Sequence, residues 1–196
     1  MSGTLVFAHT VSRPDEEIDL AAAALLIAER EYPDLDVGAY LGRLDELAAR
    51  ARARGGDVTA LRGVLFDELG LRGNTGDYYD ARNSFLNDVL DRRLGIPITL
   101  SVVFLEVGWR LGLKVAGLGY PGHFLVHAEG QLLDCFNGGA EVDRQTLPPG
   151  PVPVAGKRAI LARMLANLSR IQPVRAWIAD FVAALSAPRR EGGPPS

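Results

Sequence analysis

The stretch NSFLNDVLDRRLGIPITLSVVFLEVGWRLGL, residues 83–113, decides the fold of this chain. From Leu100 to Leu111 it is apolar on nearly every side, which is typical of a helix buried within a core. Pro97 suits the first turn of such a helix, and Gly112 suits the position just past its end. The sequence therefore predicts a buried central helix that begins near Pro97.

Upstream of this helix the pattern is helical almost throughout. Three amphipathic segments with capping residues span residues 14–33, 36–56 and 57–71. A turn-rich loop, residues 72–83, separates them from a fourth helix that Asn83 or Ser84 is expected to cap. Helices should therefore fill most of residues 14–112.

Beyond Gly112 the pattern changes from helical to short and extended. The segments KVAGLGYPG, HFLVHAEGQLLDCF and PVPVAG predict a small antiparallel sheet within residues 113–156. Two helices follow over residues 157–187 as a helical hairpin, and the tail 188–196 is too polar and too rich in Pro and Gly to order itself. We therefore predict an α+β fold that forms a single domain over residues 1–187.

The composition of the chain indicates which binding partners and which cellular compartment to expect. The 196 residues carry a net charge of -3, which offers no basic excess for nucleic acid. A lone cysteine, Cys135, is usual in a reducing compartment. No signal peptide is apparent, and the longest apolar run, Leu20 to Ala28, is too short to span a bilayer. We expect a soluble, cytoplasmic protein that binds neither nucleic acid nor membranes.

A histidine and an aspartate should meet on a β-hairpin over residues 122–137. Its turn is centred on Glu129 and Gly130, either as two residues or within the four-residue AEGQ. His123 and Asp134 then share a face, as diagonal neighbours or, after a slip of one pair, directly opposite, about 5 to 8 Å apart. A hydrogen bond between them would fix the imidazole tautomer and free the other nitrogen to act as a base. The competing interpretation is a histidine that only satisfies a buried carboxylate.

The same alternation sends Cys135 to the opposite face of the hairpin. Cys135 is therefore interpreted as a small buried hydrophobic residue and not as the partner of His123. His127 shares the face of His123 and Asp134, so the three could in principle surround a metal. Strand flexibility and the lack of supporting ligands disfavour that interpretation, and we expect no metal and no cofactor.

These motifs resemble a known family. The stretch 83–113, together with GLGYPGHFLVH (117–127) and LLDCFNGG (132–139), is similar to the SirB family, a bacterial branch of the transglutaminase-like superfamily. The resemblance is strong over residues 78–146 and weak over the flanking helices. It implies a transglutaminase-like (papain-like) core followed by tetratricopeptide-type helices. It also implies an active-site order of Cys, His and Asp, in which His123 and Asp134 occupy the last two places.

The cysteine of that order is missing. The superfamily pattern of Gly, any residue and Cys falls on Gly95, Ile96 and Pro97, and proline cannot be a nucleophile. Ser101, one helical turn further on, lies on roughly the same side as Pro97, whereas Thr99 lies about 200° round. Ser101 is thus the candidate hydroxyl nucleophile. The competing interpretation is a small polar residue that bonds back to a main-chain carbonyl.

Residues just before the central helix belong to the recognisable family pattern and suit ligand binding. Exposed tyrosines beside amide side chains can stack on and hydrogen-bond a peptide-like ligand. The binding candidates are Tyr79, Asn83, Asn87 and Thr99. Alternatively, Asn83 caps a helix and the tyrosines cover the edge of the core.

Three hypotheses follow. The first, which we favour because the thiol is missing, is a non-catalytic protein that binds a protein or peptide through a degenerate Cys-His-Asp cleft. The second is an amide hydrolase or acyl transferase in which His123 and Asp134 activate a hydroxyl or water. The third is an interaction module whose contacts are made by the C-terminal helices. We disfavour it because only two helices are predicted there, and helical repeats need neighbouring repeats to bury their apolar faces.

Overall fold

A computed structural model describes residues 3–120, 123–150 and 152–187 of the chain, and helices make up most of them. The helices are α1 (Gly3–Val11), α2 (Leu20–Glu29), α3 (Val37–Arg52), α4 (Val58–Arg62), α5 (Leu86–Arg92), α6 (Pro97–Leu111), α7 (Lys157–Ile171) and α8 (Ala176–Ser186). Helix α4 continues as a π-helix, Gly63–Glu68, and short 3-10 turns lie at Asp15–Glu17, Ala81–Asn83 and Arg144–Thr146. The predicted tail, 188–196, lies outside the described residues.

Aspartate caps set the starts of three helices. The side chains of Asp19, Asp36 and Asp57 each accept a hydrogen bond from the main-chain N–H three residues further on, at 2.9, 3.0 and 2.7 Å. The second predicted segment, residues 36–56, is confirmed at its start, because its first residue, Asp36, caps α3. The predicted helix over 14–33 is wrong at its start, because Asp19 opens α2 after a separate 3-10 turn. Helix α1 was not predicted.

Helix α5 begins without the predicted cap. Its first flanking residue is Phe85, which makes no side-chain capping bond, and Asn83 instead ends the preceding 3-10 turn. The prediction that Asn83 or Ser84 caps this helix is therefore wrong. The amide of Asn83 is used to hold the loop before it, as described below.

Helix α6 is the buried centre of the fold, as predicted. Every residue from Ile98 to Gly108 is buried, and Pro97 occupies its first turn. The ring of Phe104 stacks on Phe66 with centroids 6.2 Å apart. Helices α2, α3, α4 and α5 and the sheet pack around it.

The main sheet has five antiparallel strands in the order β6-β5-β4-β3-β7. These strands are β3 (Val115–Tyr120), β4 (His123–Ala128), β5 (Gln131–Asp134), β6 (Ala140–Glu141) and β7 (Val154–Ala155). A separate parallel pair joins β1 (Arg72–Gly73) to β2 (Leu94–Gly95). The α+β class is therefore shown, with the sheet lying in the predicted part of the chain.

The turn between β4 and β5 has the predicted two-residue form. Ala128 pairs with Gln131, and both Glu129 (φ 47°) and Gly130 (φ 90°) have positive φ, as a type I′ turn requires. The register pairs Val126 with Leu133.

The two faces of the sheet pack on different layers. Phe124, Val126 and Cys135 belong to the main core, which extends from Phe7 in α1 to Leu185 in α8. The opposite face carries a second apolar cluster, formed by Leu118, Tyr120, Leu125 and Leu132 and covered by Val142, Leu147 and Val152. Alternation along β4 and β5 thus separates Cys135 from the face of His123, as predicted.

Within the described ranges, no helix combines the length and the apolar character needed to cross a bilayer.

Candidate functional site

A cleft of about 640 Å³ lies where the start of α6 meets the adjoining ends of β3 and β4 and one face of α7. Its walls are Tyr78, Tyr79, Ile96, Pro97, Ile98, Gly119, Tyr120, His123, Phe124, Arg163, Ala166, Asn167, Arg170 and Ile171. The position at which the sequence pattern placed the nucleophile, Pro97, therefore opens into the same cleft as His123.

The described lining contains no thiol, no hydroxyl of Ser or Thr, and no carboxylate. Its polar groups are the tyrosine hydroxyls, the imidazole of His123, the amide of Asn167 and the guanidinium groups of Arg163 and Arg170. This set can donate hydrogen bonds and stack on a ligand, but it includes neither a thiol nor an aliphatic hydroxyl, the groups that the Cys–His and Ser–His pairs of acyl transfer use.

Cys135 is fully buried in the main core. Burial raises the pKa of its thiol to about 12, although the neighbouring Ser101 hydroxyl acts in the opposite direction. The Oγ atom of Ser101 is buried and has no hydrogen-bond partner among the described residues. Burial of the thiol on the face away from His123 is as predicted.

We expect Cys135 to react with a soluble thiol reagent about a hundredfold or more slowly in the folded protein than in denaturant. Both its burial and its raised pKa keep the thiolate scarce and inaccessible. Because Cys135 is the single cysteine of the chain, absorbance of the released chromophore reports on it alone. Rapid stoichiometric labelling of folded protein would contradict its placement in the core.

His123 and Asp134 are not hydrogen-bonded to each other. Continued toward the strand ends, the register sets His123 opposite Phe136, so Asp134 is a diagonal neighbour on the same face. His123 is exposed, whereas Asp134 is buried with 8% exposure. The expected pair is absent because the carboxylate of Asp134 is occupied by its own turn.

That turn uses both carboxylate oxygens of Asp134. Oδ1 accepts from the main-chain N–H groups of Phe136 (2.9 Å) and Asn137 (3.3 Å), and Oδ2 accepts from Nδ2 of Asn137 (2.7 Å). Phe136 in turn accepts a bond from the N–H of Gly73 and packs edge-on against Tyr78, 5.9 Å away. Asp134 therefore acts on the cleft indirectly, by positioning Phe136 behind Tyr78.

The other polar candidates on α5 and α6 do not line the cleft. Ser101 and Thr99 are fully buried, Asn87 is nearly so, and the Oγ atoms of Ser101 and Thr99 and the Oδ1 atom of Asn87 have no hydrogen-bond partner among the described residues. The wall at the start of α6 is formed by Ile96, Pro97 and Ile98 instead. Ser101 as a nucleophile beside His123, and Thr99 and Asn87 as ligand contacts, are therefore not supported by this geometry. The side chains of Ser101 and Thr99 on α6, and of Asn87 on α5, are buried in the core instead.

Asn83 holds the loop that carries the tyrosines. Its Nδ2 donates to the carbonyl oxygens of Asp77 (2.7 Å) and Tyr78 (3.2 Å), and its Oδ1 accepts from Asn74 (3.0 Å). Asn83 is fully buried, so it supports the loop and does not contact a ligand directly.

Tyr79 is the predicted binding residue that the structure leaves available. Its side chain is 74% exposed and meets Tyr78 edge-on, with ring centroids 5.4 Å apart. The loop clamped by Asn83 thus presents an exposed aromatic ring at one side of the cleft, while Tyr78 is held from behind by Phe136.

Sequence reasoning missed the α7 side of the cleft. Arg163, Asn167 and Arg170 follow one another at helical spacing and share a face of α7, whereas Leu161 and Leu168 lie on its buried face. That spacing was a readable signal of a polar stripe. The sequence did not indicate that this stripe lies against the ends of β3 and β4.

In the part of the chain that the structure describes, no group of three or more His, Cys, Asp or Glu side chains could hold a metal ion. His123, His127 and Asp134 therefore do not form the metal site that their sequence positions allowed.

The chain is similar to one known protein family and to several known proteins. The family model described as "Transglutaminase-like superfamily" matches residues 38–150. A UPF0162 protein of Xylella fastidiosa strain Temecula1 is 40% identical over 172 residues, covering 82% of this chain and 61% of the relative. A second, from strain 9a5c, is 40% identical over 185 residues, covering 80% of this chain and 66% of the relative.

A shorter similarity reaches a eukaryotic protein. F-box only protein 21 of Mus musculus is 43% identical over 84 residues, which cover 41% of this chain and 13% of that protein. The chain spans less than two thirds of the length of the two Xylella relatives. No solved structure matches it significantly.

Proposed function

Because the chain belongs to the transglutaminase-like superfamily, we propose that it is a non-catalytic member that binds a peptide segment of a protein partner in the cleft at the start of α6. One observation carries the proposal. The cleft lies where an enzyme of this kind would place its nucleophile, yet its wall there is Pro97 and its described lining holds no Cys, Ser or Thr side chain.

The composition of the cleft supports a peptide ligand. Tyr78 and Tyr79 offer aromatic faces, while Asn167 and the arginines offer donors for main-chain carbonyl oxygens. A volume of about 640 Å³ falls in the range of pockets that enclose a small ligand or a few residues of a peptide. Asn83 and Asp134 hold the tyrosine side of the cleft in place, which reduces the entropy cost of binding.

Assignment to the SirB branch is part of this proposal and rests on the motifs in residues 83–139. The same holds for the tetratricopeptide-like character of α7 and α8, for a cytoplasmic location and for a single domain over 1–187. A whole-protein activity is likewise a proposal, since the Xylella relatives extend beyond the matched region.

We expect Tyr79→Ala to weaken peptide binding about fivefold to thirtyfold, a loss of about 1 to 2 kcal/mol. The ring is mostly exposed, so its removal should leave the thermal midpoint nearly unchanged. The probe is a pool of acetylated random hexapeptides, selected on the immobilised protein and identified by mass spectrometry. Peptides enriched in that selection are then titrated against each variant.

Leu5→Ala is the matched control, because Leu5 is an exposed apolar residue on α1 outside the cleft. It should bind the selected peptides as the unmodified protein does. Equal affinity of the Tyr79→Ala and Leu5→Ala variants, or no enrichment of any hexapeptide, would contradict the proposal.

Catalysis through His123 is the competing function, and retention of the histidine in the cleft is what favours it. Incubating the selected peptides with the protein distinguishes the two. If the peptides were cleaved and His123→Ala abolished cleavage while Cys135→Ala did not, a hydrolase using an activated water would replace the binding proposal.

A further inference from the structure

We infer that the cleft selects peptides through a carboxylate, which Arg163 and Arg170 on α7 bind beside the tyrosines. This inference rests on the proposed function and names the chemistry of its ligand. It goes beyond the His-Asp arrangement, since the residues that carry it come from α7.

The charge of the cleft has one sign. Arg163 and Arg170 line it, and no Asp or Glu does so among its described lining residues. Some arginines elsewhere form ion pairs with carboxylates, as Arg92 does with Asp80 at 2.9 Å. Neither Arg163 nor Arg170 has such an ion pair within the described ranges. The net charge of the chain is -3, so the local positive charge of the cleft is opposite in sign to the charge of the chain as a whole.

Arg163 is held in position before any ligand arrives. Its Nη2 donates to the carbonyl oxygens of Tyr120 (3.1 Å) and His123 (2.9 Å). Its guanidinium lies over the ring of Phe124, 5.5 Å from the centroid. The side chain therefore bridges the ends of β3 and β4, and a ligand would not have to order it.

The surroundings of Arg163 strengthen an interaction with an anion. Partial burial lowers the pKa of its guanidinium; Tyr78 acts in the opposite direction, and the like charge of Arg170 lowers the pKa further. Arg163 and Arg170 lie seven residues apart on α7, and both line the cleft. An anion bound between them would interact favourably with both charges, and a carboxylate matches the planar fork of an arginine.

The start of α6 adds the same sign of potential. This 15-residue helix begins at Pro97 without a side-chain cap, and Pro97 and Ile98 line the cleft. The first N–H groups of a helix have no intrahelical acceptor and carry partial positive charge. This contribution supports the arginines and is not by itself the site.

The positive charge of the cleft is too small and too localised to bind a polyanion. A nucleic acid needs several cations spread along its backbone, whereas here two arginines converge beside two tyrosines. A single carboxylate next to apolar or aromatic peptide groups fits this combination. The carboxylate can come from a chain terminus or from an Asp or Glu side chain.

The test uses two pools of acetylated random hexapeptides, one with a free C-terminal carboxylate and one amidated, selected on the full chain. If a terminal carboxylate is recognised, the free-acid pool should be enriched at least about fivefold over the amidated pool. If a side chain is recognised, both pools should be enriched equally, with Asp or Glu over-represented at one position. Either result supports the inference and identifies the source.

Arg170→Gln tests the residue directly. Arg170 is exposed, so the fold should be unaffected while affinity for the selected peptides falls about threefold to tenfold. Arg30→Gln is the matched control. Arg30 is also an exposed arginine, but it lies at the C-terminal end of α2 and does not line the cleft. It should leave affinity unchanged.

The outcomes separate this inference from the proposed function. Peptides that bind with no preference for a carboxylate, or with equal loss in Arg170→Gln and Arg30→Gln, would overturn the inference and leave peptide binding standing. A selection that enriches nothing would overturn both.

Discussion

Replacing Phe104 with alanine is expected to lower the free energy of unfolding by about 3 to 5 kcal/mol. Phe104 lies near the middle of α6, is fully buried, and stacks on Phe66. Removing its ring leaves a cavity at the point where the helices and the sheet meet, and a close-packed core relaxes only in part. Urea denaturation followed by circular dichroism measures the loss.

Phe104→Leu is the matched control, since it retains much of the apolar volume. We expect it to cost about 1 to 1.5 kcal/mol, clearly less than the alanine variant. A domain of this size has a total stability of about 5 to 15 kcal/mol, so the alanine variant should lose a large share of it. If the two variants were equally stable, α6 would not be the centre of the core.

Replacing Glu106 with alanine should lower the free energy of unfolding by about 2 to 3 kcal/mol at neutral pH. Glu106 projects from α6 into the core, accepts a hydrogen bond from the main-chain N–H of Ala21 (3.0 Å) and pairs with Arg110. Alanine would leave the N–H of Ala21 buried without an acceptor. Arg110 would retain Asp45 as a partner, which limits the loss.

Glu106→Gln is the control, because its side-chain carbonyl can still accept the hydrogen bond from Ala21. It should therefore be more stable than Glu106→Ala. If the alanine variant were as stable as the unmodified protein, Glu106 would not link α6 to the start of α2.

The pH dependence of that comparison has a defined sign. Burial raises the pKa of Glu106, and Arg110 opposes this only in part, so the folded chain binds the proton more tightly than the unfolded chain does. The proton-linked part of the stability that Glu106 contributes is complete below the ordinary carboxyl pKa and is lost as pH rises through the raised value, whereas the hydrogen bond from Ala21 is retained. The stability of the unmodified protein relative to Glu106→Gln should therefore fall as pH increases across this window. A difference that is constant or rises would contradict the burial of the carboxylate.

The candidate site illustrates how family motif residues can serve a cleft without lining it. Asn83 and Asp134 belong to the pattern that suggested a site, yet both are buried and hold main-chain groups of neighbouring turns. Their effect reaches the cleft through Tyr78 and Phe136. Replacing them would disturb the ligand surface by moving the loops that form it.

The sequence by itself determined the elements whose signal is local. The nearly continuous apolar pattern after Pro97 identified α6 as buried, because a helix apolar on nearly every side has little surface suited to water. The two-residue turn at Glu129 and Gly130 fixed which residues of the two strands share a face of the hairpin. The alternation of side chains along the strands then placed Cys135 and His123 on opposite faces. The resemblance to the superfamily pattern likewise implied that Pro97 occupies the position of the cysteine.

Only the tertiary structure decided which side chains meet. Parity can place His123 and Asp134 on one face, but it cannot say that the carboxylate of Asp134 bonds to the N–H groups of its own turn. Helical spacing can group Arg163 with Arg170, but residues some forty positions from His123 reach the cleft only through the packing of α7. The physical reason is that hydrogen bonds and charges depend on distances across the fold, whereas sequence periodicity records only the direction of each side chain relative to its own backbone.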